Sequence, residues 1–228
     1  MPRESFEQEL DRLQDELLVL GSMVDDALAE SVDALVHRDL ERAQLVMDND
    51  RTINEKRFAE EEAALVLIAT QQPMASDLRT IAAVLEITTE LERIGDYAKG
   101  IAKVTLLLGD EAPLKPLVDI PLMAEKARSM LRRSLDAFVT RDVDLARSIP
   151  AEDDEVDSLY NRVYRDLMDL VVADVRNVDK ANFLLWVAHN LERAADRVIN
   201  ICERVVFTVT GRMQEMDVGD GSGMERIS

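Results

Sequence analysis

The chain has 228 residues and carries 27 Lys and Arg against 46 Asp and Glu, a formal net charge of −19. So much negative charge repels phosphate backbones and anionic bilayers, which argues against nucleic acid or a lipid surface as a direct partner. The single cysteine, Cys202, excludes an intramolecular disulfide and a multi-cysteine zinc site, while the length suffices for one large or two small domains with an apolar core.

The opening "MPRESFEQELDRLQDELL" is acidic where an export signal would be basic, and the most apolar run, "AALVLIAT" at 63–70, is too short to cross a bilayer. A cytoplasmic protein is expected, with membrane association only through partners. Eight Gly and six Pro leave few helix breakers in a chain rich in Leu, Ala, Glu, Arg and Asp, so the predicted class is all-α.

In the first stretch Phe6, Leu10, Leu13, Leu17, Leu20, Val24, Leu28, Ser31 and Leu35 recur every three or four residues, tracing one face of a helix, and Ser5 with Gln8 reads as its capping box. After "HRD" at 37–39, Asp39 is the predicted N-cap of a second helix that ends at "QQP". A third begins near Ser76 and Asp77, with Ile81, Val84, Leu85, Thr88, Leu91, Gly95, Ala98 and Ala102 on one stripe. Short turns between long helices predict an antiparallel bundle over 1–108. The turn-forming run "GDEAPLKPL" predicts a linker at 109–118, a second bundle at 119–211 and a disordered tail from Arg212 to 228. The methionines and Trp186 fall among apolar positions and are expected in the core.

The second half repeats the first. "ALVHRDLERA" at 34–43 matches "AFVTRDVDLA" 103 residues later, and "LERIGDYAKGI" at 91–101 matches "LERAADRVINI" 100 residues later. Three residues are therefore missing from the second copy, most simply at the QQP turn, and two tandem three-helix bundles account for nearly the whole chain.

Glu92 and Asp96 stand four residues apart on one helix face, and Glu192 and Asp196 repeat them. On the preceding helix Asp153 and Asp157 share that spacing, with Asp50 and Asn54 as their first-half equivalents. Like charges so placed cost a helix roughly 0.2–0.5 kcal/mol per pair unless a cation lies between them. Oxygen-only clusters suit hard cations such as magnesium, calcium, manganese or ferric iron. Glu7 with Asp11 has the same spacing and no repeat behind it, so a solvated acidic surface is the plain alternative; Arg93 and Arg193 are the rival partners. No Glu-x-x-His motif of a di-iron bundle occurs at His37 or His189, no Gly-rich phosphate loop is present, and no nucleophilic triad can be assembled.

Taken together, "MDNDRTIN" at 47–54, "QQPMASDLRTIAAVLEITTELERIGDYAKGIAK" at 71–103 and "LERAADRVINICERVVFTVTG" at 191–211 resemble the PhoU family, from about Phe6 to Gly211. The resemblance implies a cytoplasmic protein of two three-helix bundles, a homodimer in many members. It implies a negative regulator of phosphate uptake and phosphate-starvation signalling that links the ATPase subunit of the phosphate-specific ABC transporter to a phosphate-sensing histidine kinase. It also implies metal, iron in some members, with magnesium, manganese, calcium or zinc also open. The family's acidic motif falls on Glu92 and Asp96, Glu192 and Asp196, and Asp153 and Asp157, with Asp50 beside the first pair and Glu203 beyond the second. Asn54 and Lys103 depart from it in the first half, so the second bundle is expected to bind metal more tightly. The alternative, a metal-dependent hydrolase or phosphatase, lacks an evident general base and a phosphate-binding cluster of Arg or Lys.

Overall fold

The computed structural model describes residues 2–216, the side chains of the first three residues aside. Among the described residues there is no strand; α1 (Pro2–His37), α2 (Leu40–Gln71) and α3 (Ala75–Leu108) form one half, and α4 (Asp119–Thr140), α5 (Val143–Ser148), α6 (Asp153–Ala173) and α7 (Val178–Thr210) the other. The nine stripe residues of α1 are all buried, Ser31 among them, its hydroxyl donating to the Leu28 carbonyl.

The repeated Arg-Asp dipeptide is the corner of each bundle. Arg38 and Arg141 take left-handed backbone conformations, and the following Asp39 and Asp142 cap the next helix by accepting from the backbone N–H of Arg42 and Leu145, both at 2.9 Å. Such a cap satisfies an amide that the first turn would otherwise leave unpaired.

Several expectations change. Ser5 and Gln8 are not a cap, because α1 already runs from Pro2; a proline at the first helical position gives up no needed N–H and presets φ, so the helix starts before the serine. The middle helix of the second half is broken, since Pro150 opens a 3₁₀ turn, Pro150–Glu152, between α5 and α6. Trp186 is 51% exposed, as are Met74 and Met213 at 70% and 60%, whereas Met123 and Met130 are fully buried. From Arg212 the chain leaves the helix but stays against α7, where the Met216 amide donates to Glu203 at 2.9 Å and Arg204 reaches the Met213 sulfur. Residues 217–228, the rest of the tail expected to lack order, lie outside the described residues.

The main apolar core runs through helices of both halves, from Leu17, Leu20 and Ile87 to Met130, Val163 and Val198, beside a small cluster of Ala34, Ala43, Val46 and Ala102 within the first half. The halves meet with a definite symmetry. Gly100 of α3 approaches Asn190 of α7, and Glu90 of α3 accepts from Asn200 of α7 at 3.2 Å, which is the same pairing with the two copies exchanged. Arg79 near the start of α3 reaches the Thr208 carbonyl near the end of α7, so the two helices are antiparallel. On the other side Asp25 of α1 takes two hydrogen bonds, 2.9 and 2.8 Å, from Arg128 of α4, its own equivalent 103 residues on, with Arg132 adding a third contact. Contacts that map onto themselves when copies are swapped are those of a two-fold dimer, here built within one chain. Gly21 permits the close approach, since a Cβ there would stand 2.3 Å from Leu135 Cδ1.

Candidate functional site

The 3₁₀ turn at Pro150 delivers Asp153 as the first residue of α6, with Asp157 one turn later, facing Glu192 and Asp196 on α7. Asp153 is 3% exposed. Its carboxyl is pushed up to about 7, first by burial and then by the charges of Asp196, Asp157 and Glu192. Asp157, Glu192 and Asp196 are all raised as well, with burial the largest cause in each. A carboxylate buried among others disfavours its charged form, and each neighbour adds to the cost. Two arginines and a histidine partly offset it: Arg193 donates to Asp196 at 2.7 Å, while Arg197 and His189 act on Asp196 through space.

Even so, Asp153 Oδ1 and Glu192 Oε2 are buried without a hydrogen bond. His189 Nδ1 lies 3.2 Å from Glu192 Oε2, an ion pair in distance without the alignment of a hydrogen bond. Buried oxygens without a donor are costly, so this cluster is electrostatically incomplete. All-carboxylate donors fit a hard cation in type. In placement, among the described residues no three acidic, imidazole or thiol side chains are grouped so as to hold an ion.

The first half resolves the same problem differently. Asp50, Glu92 and Asp96 do come together, and Glu92 and Asp96 are raised by burial and by one another or Asp50. Here, however, Lys99 Nζ lies 2.6 Å from Asp50 Oδ2, and Asn54 donates to the same oxygen at 3.2 Å. The second half has Ile199 where the first has Lys99. The first cluster thus contains its own cation, and its donor set does not fit an added one while Lys99 stays. Lys99 is legible in the sequence, unlike its role, since it sits three residues after Asp96 and seven after Glu92, on their face of α3.

Glu203 lies beyond the second cluster and has partners of its own. Its carboxylate accepts from Met216 and lies 3.6 Å from Arg204, in a cleft that it lines together with Asp196 and Arg193. Arg93 pairs with Glu90 at 3.7 Å rather than with Glu92 or Asp96. Arg197 was also missed: it reaches Tyr97 and Glu90 of α3, joining the edge of the second cluster to the seam between the halves.

A family model described as PhoU domain matches residues 17–105 and again 120–205. Over 218 residues the chain is 36% identical to a phosphate-specific transport system accessory protein PhoU homolog of Clostridium acetobutylicum, covering 95% of this chain and 100% of that protein. The corresponding protein of Escherichia coli strain K12 is 33% identical over 207 residues, 91% of this chain and 86% of its own. Among solved structures, PhoU from Pseudomonas aeruginosa superposes with a TM-score of 0.86 at 32% identity, over 91% of this chain and 100% of that one. The phosphate transport system regulatory protein PhoU from Streptococcus pneumoniae gives 0.85 at 31%, over 92% and 99%.

Proposed function

The chain belongs to the PhoU family, and from that premise we propose that it is a non-catalytic negative regulator of phosphate uptake and phosphate-starvation signalling. In this reading it works on the cytoplasmic side as an adaptor between the ATPase subunit of a phosphate-specific ABC transporter and a phosphate-sensing histidine kinase, as a homodimer. The observation that carries the proposal is the match over both halves to proteins named as accessory to the phosphate-specific transport system. Among the described residues no helix is long and apolar enough to cross a membrane, which suits attachment through a partner.

Metal enters the proposal at the second cluster alone. Asp153, Asp157, Glu192 and Asp196 would have to draw closer than they stand here to hold it, and a hard cation there would supply the positive charge that the buried oxygens of Asp153 and Glu192 lack. The chain's own residues do the rest. Arg197 fixes the edge of the cluster to Glu90 and Tyr97 across the seam, so the charge balance of the cluster bears on how α3 and α7 sit together, and hence on the surface offered to a partner.

Deleting the gene and following a phosphate-starvation reporter in high phosphate tests the regulatory reading. Derepression that the wild-type gene reverses is expected, together with co-purification of the transporter ATPase. Unchanged expression and no ATPase capture would overturn it.

A further inference from the structure

The internal duplication lets one half serve as a control for the other. The buried face of α6 reads Val156, Leu159, Val163 and Leu167, a continuous apolar seam. The residues 103 positions earlier on α2 are Ile53, Lys56, Glu60 and Ala64. Lysine and alanine stand where the second half has leucines, and glutamate stands where it has a core valine. The fold at this place plainly works with apolar residues, since the second half uses them.

The result is a groove between α1 and α2. Its volume is about 390 Å³, with Leu13, Ala63, Val66 and Leu67 along its walls. The cavity beside Val163 and Leu167 in the second half, lined also by Lys115 and Asp119, the equivalents of Arg12 and Glu16, has only about 10 Å³. A cavity of several hundred Å³ lined by apolar side chains and a few polar groups is the usual form of a small-molecule site.

Glu60 stands in the wall of this groove at 3% exposure, and neither of its carboxylate oxygens has a hydrogen bond. The nearest cation, Lys56, is 4.0 Å away and is held in close contact by Glu16. Burial pushes the Glu60 carboxyl up to about 7, the strain of a charge without a partner. Three carboxylates, Glu9, Glu16 and Glu60, face two cations, Arg12 and Lys56, so the lining is net acidic when Glu60 is ionised.

We propose that this groove is a binding site for a small organic cation, an alkylammonium or guanidinium head pairing with Glu60 while its carbon chain lies along Leu13, Ala63 and Val66. The head supplies the donors that Glu60 lacks, and the chain fills the space that Leu167 fills in the second half. The site is separate from the two acidic clusters and stands or falls without the regulatory reading.

The test uses the full-length chain in about 0.15 M salt, which screens loose attraction to an acidic surface. Agmatine and n-butylammonium are titrated by calorimetry, with n-butanol as the uncharged control, and methyl resonances of Leu13, Val66 and Leu67 report the location. Saturable one-to-one binding that shifts those methyls is expected for the two cations and not for the alcohol. It should weaken at least about tenfold in Glu60→Gln and vanish in Glu60→Val, while Asp196→Asn leaves it unchanged. Glu60→Val installs the residue the second half already carries, and Glu60→Gln is nearly isosteric, so loss of fold does not confuse the result. No saturable binding, equal affinity in Glu60→Val, or shifts confined to other methyls would each overturn the proposal.

Discussion

Exchanging the residues at 99 and 199 should exchange the behaviour of the two acidic clusters. Lys99→Ile removes the ammonium 2.6 Å from Asp50 Oδ2 and leaves Asp50, itself 6% exposed, beside Glu92 and Asp96. Removing one partner of a fully buried pair costs about 3–5 kcal/mol. The Lys99 side chain is 40% exposed, which reduces this to roughly 1–3 kcal/mol, or some 3–10 °C in melting temperature for a chain of this size. Losing a positive charge also makes the site more attractive to an added one. At about 5 Å and an effective dielectric of about 20, each unit charge on an ion gains about 3 kcal/mol, upwards of roughly a hundredfold in affinity. Ile199→Lys should do the reverse in the second cluster, lending an ammonium to Asp196 and Asp153. The assay is metal content by elemental analysis after exposure to manganese, with melting curves in manganese and in chelator. Lys99→Ile should melt early in chelator, recover with manganese and hold additional metal; Ile199→Lys should lose metal and become insensitive to chelator. If both variants keep wild-type metal content and Lys99→Ile melts normally in chelator, the reasoning from charge balance fails.

Stability should depend on pH through Glu60, whose folded value of about 7 lies above its ordinary 4.5. A raised acid contributes fully below pH 4.5 and loses its contribution as pH rises through about 7, by roughly 3 kcal/mol at most. Glu60→Val should therefore gain on wild type between about pH 5 and 8 in urea denaturation, and a difference independent of pH would refute the assignment. Arg128→Ala leaves Asp25 with Arg132 alone and should cost about 2–4 kcal/mol. Because both halves share one core, calorimetry should still show one transition; two would mean that the seam is weaker than described. Asp39→Ala removes the α2 cap and should cost about 1 kcal/mol by the same measurement.

The all-helical class, the nine-residue stripe of α1, the Asp39 cap and the corner repeated at Asp142 were legible because they are local: periodicity and capping act over a few residues. The break at Pro150 is equally local, since a proline has no N–H to donate to the preceding turn. Which carboxylates would gather was half legible, since four-residue spacing places Glu192 beside Asp196 but cannot say that α6 brings Asp153 against them. The caging of Asp50 by Lys99 depends on the rotation of α2 against α3, a packing outcome. Exposure of Trp186 likewise depends on which side of α7 the other helices cover. The groove at Glu60 needed both kinds of information, a position-by-position reading of the duplicate and the volume the packed helices leave.

The self-matching contacts of α3 with α7 have a consequence for how the two copies changed. In an assembly of identical subunits every substitution appears on both sides of the axis at once. Joining the copies in one chain removes that constraint and makes their encounter independent of concentration. Here one copy has a lysine in its acidic cluster and a groove at Glu60, while the other has isoleucine in place of that lysine and an apolar seam. A fused pair can therefore keep a symmetric architecture while its two halves differ in charge and in cavity.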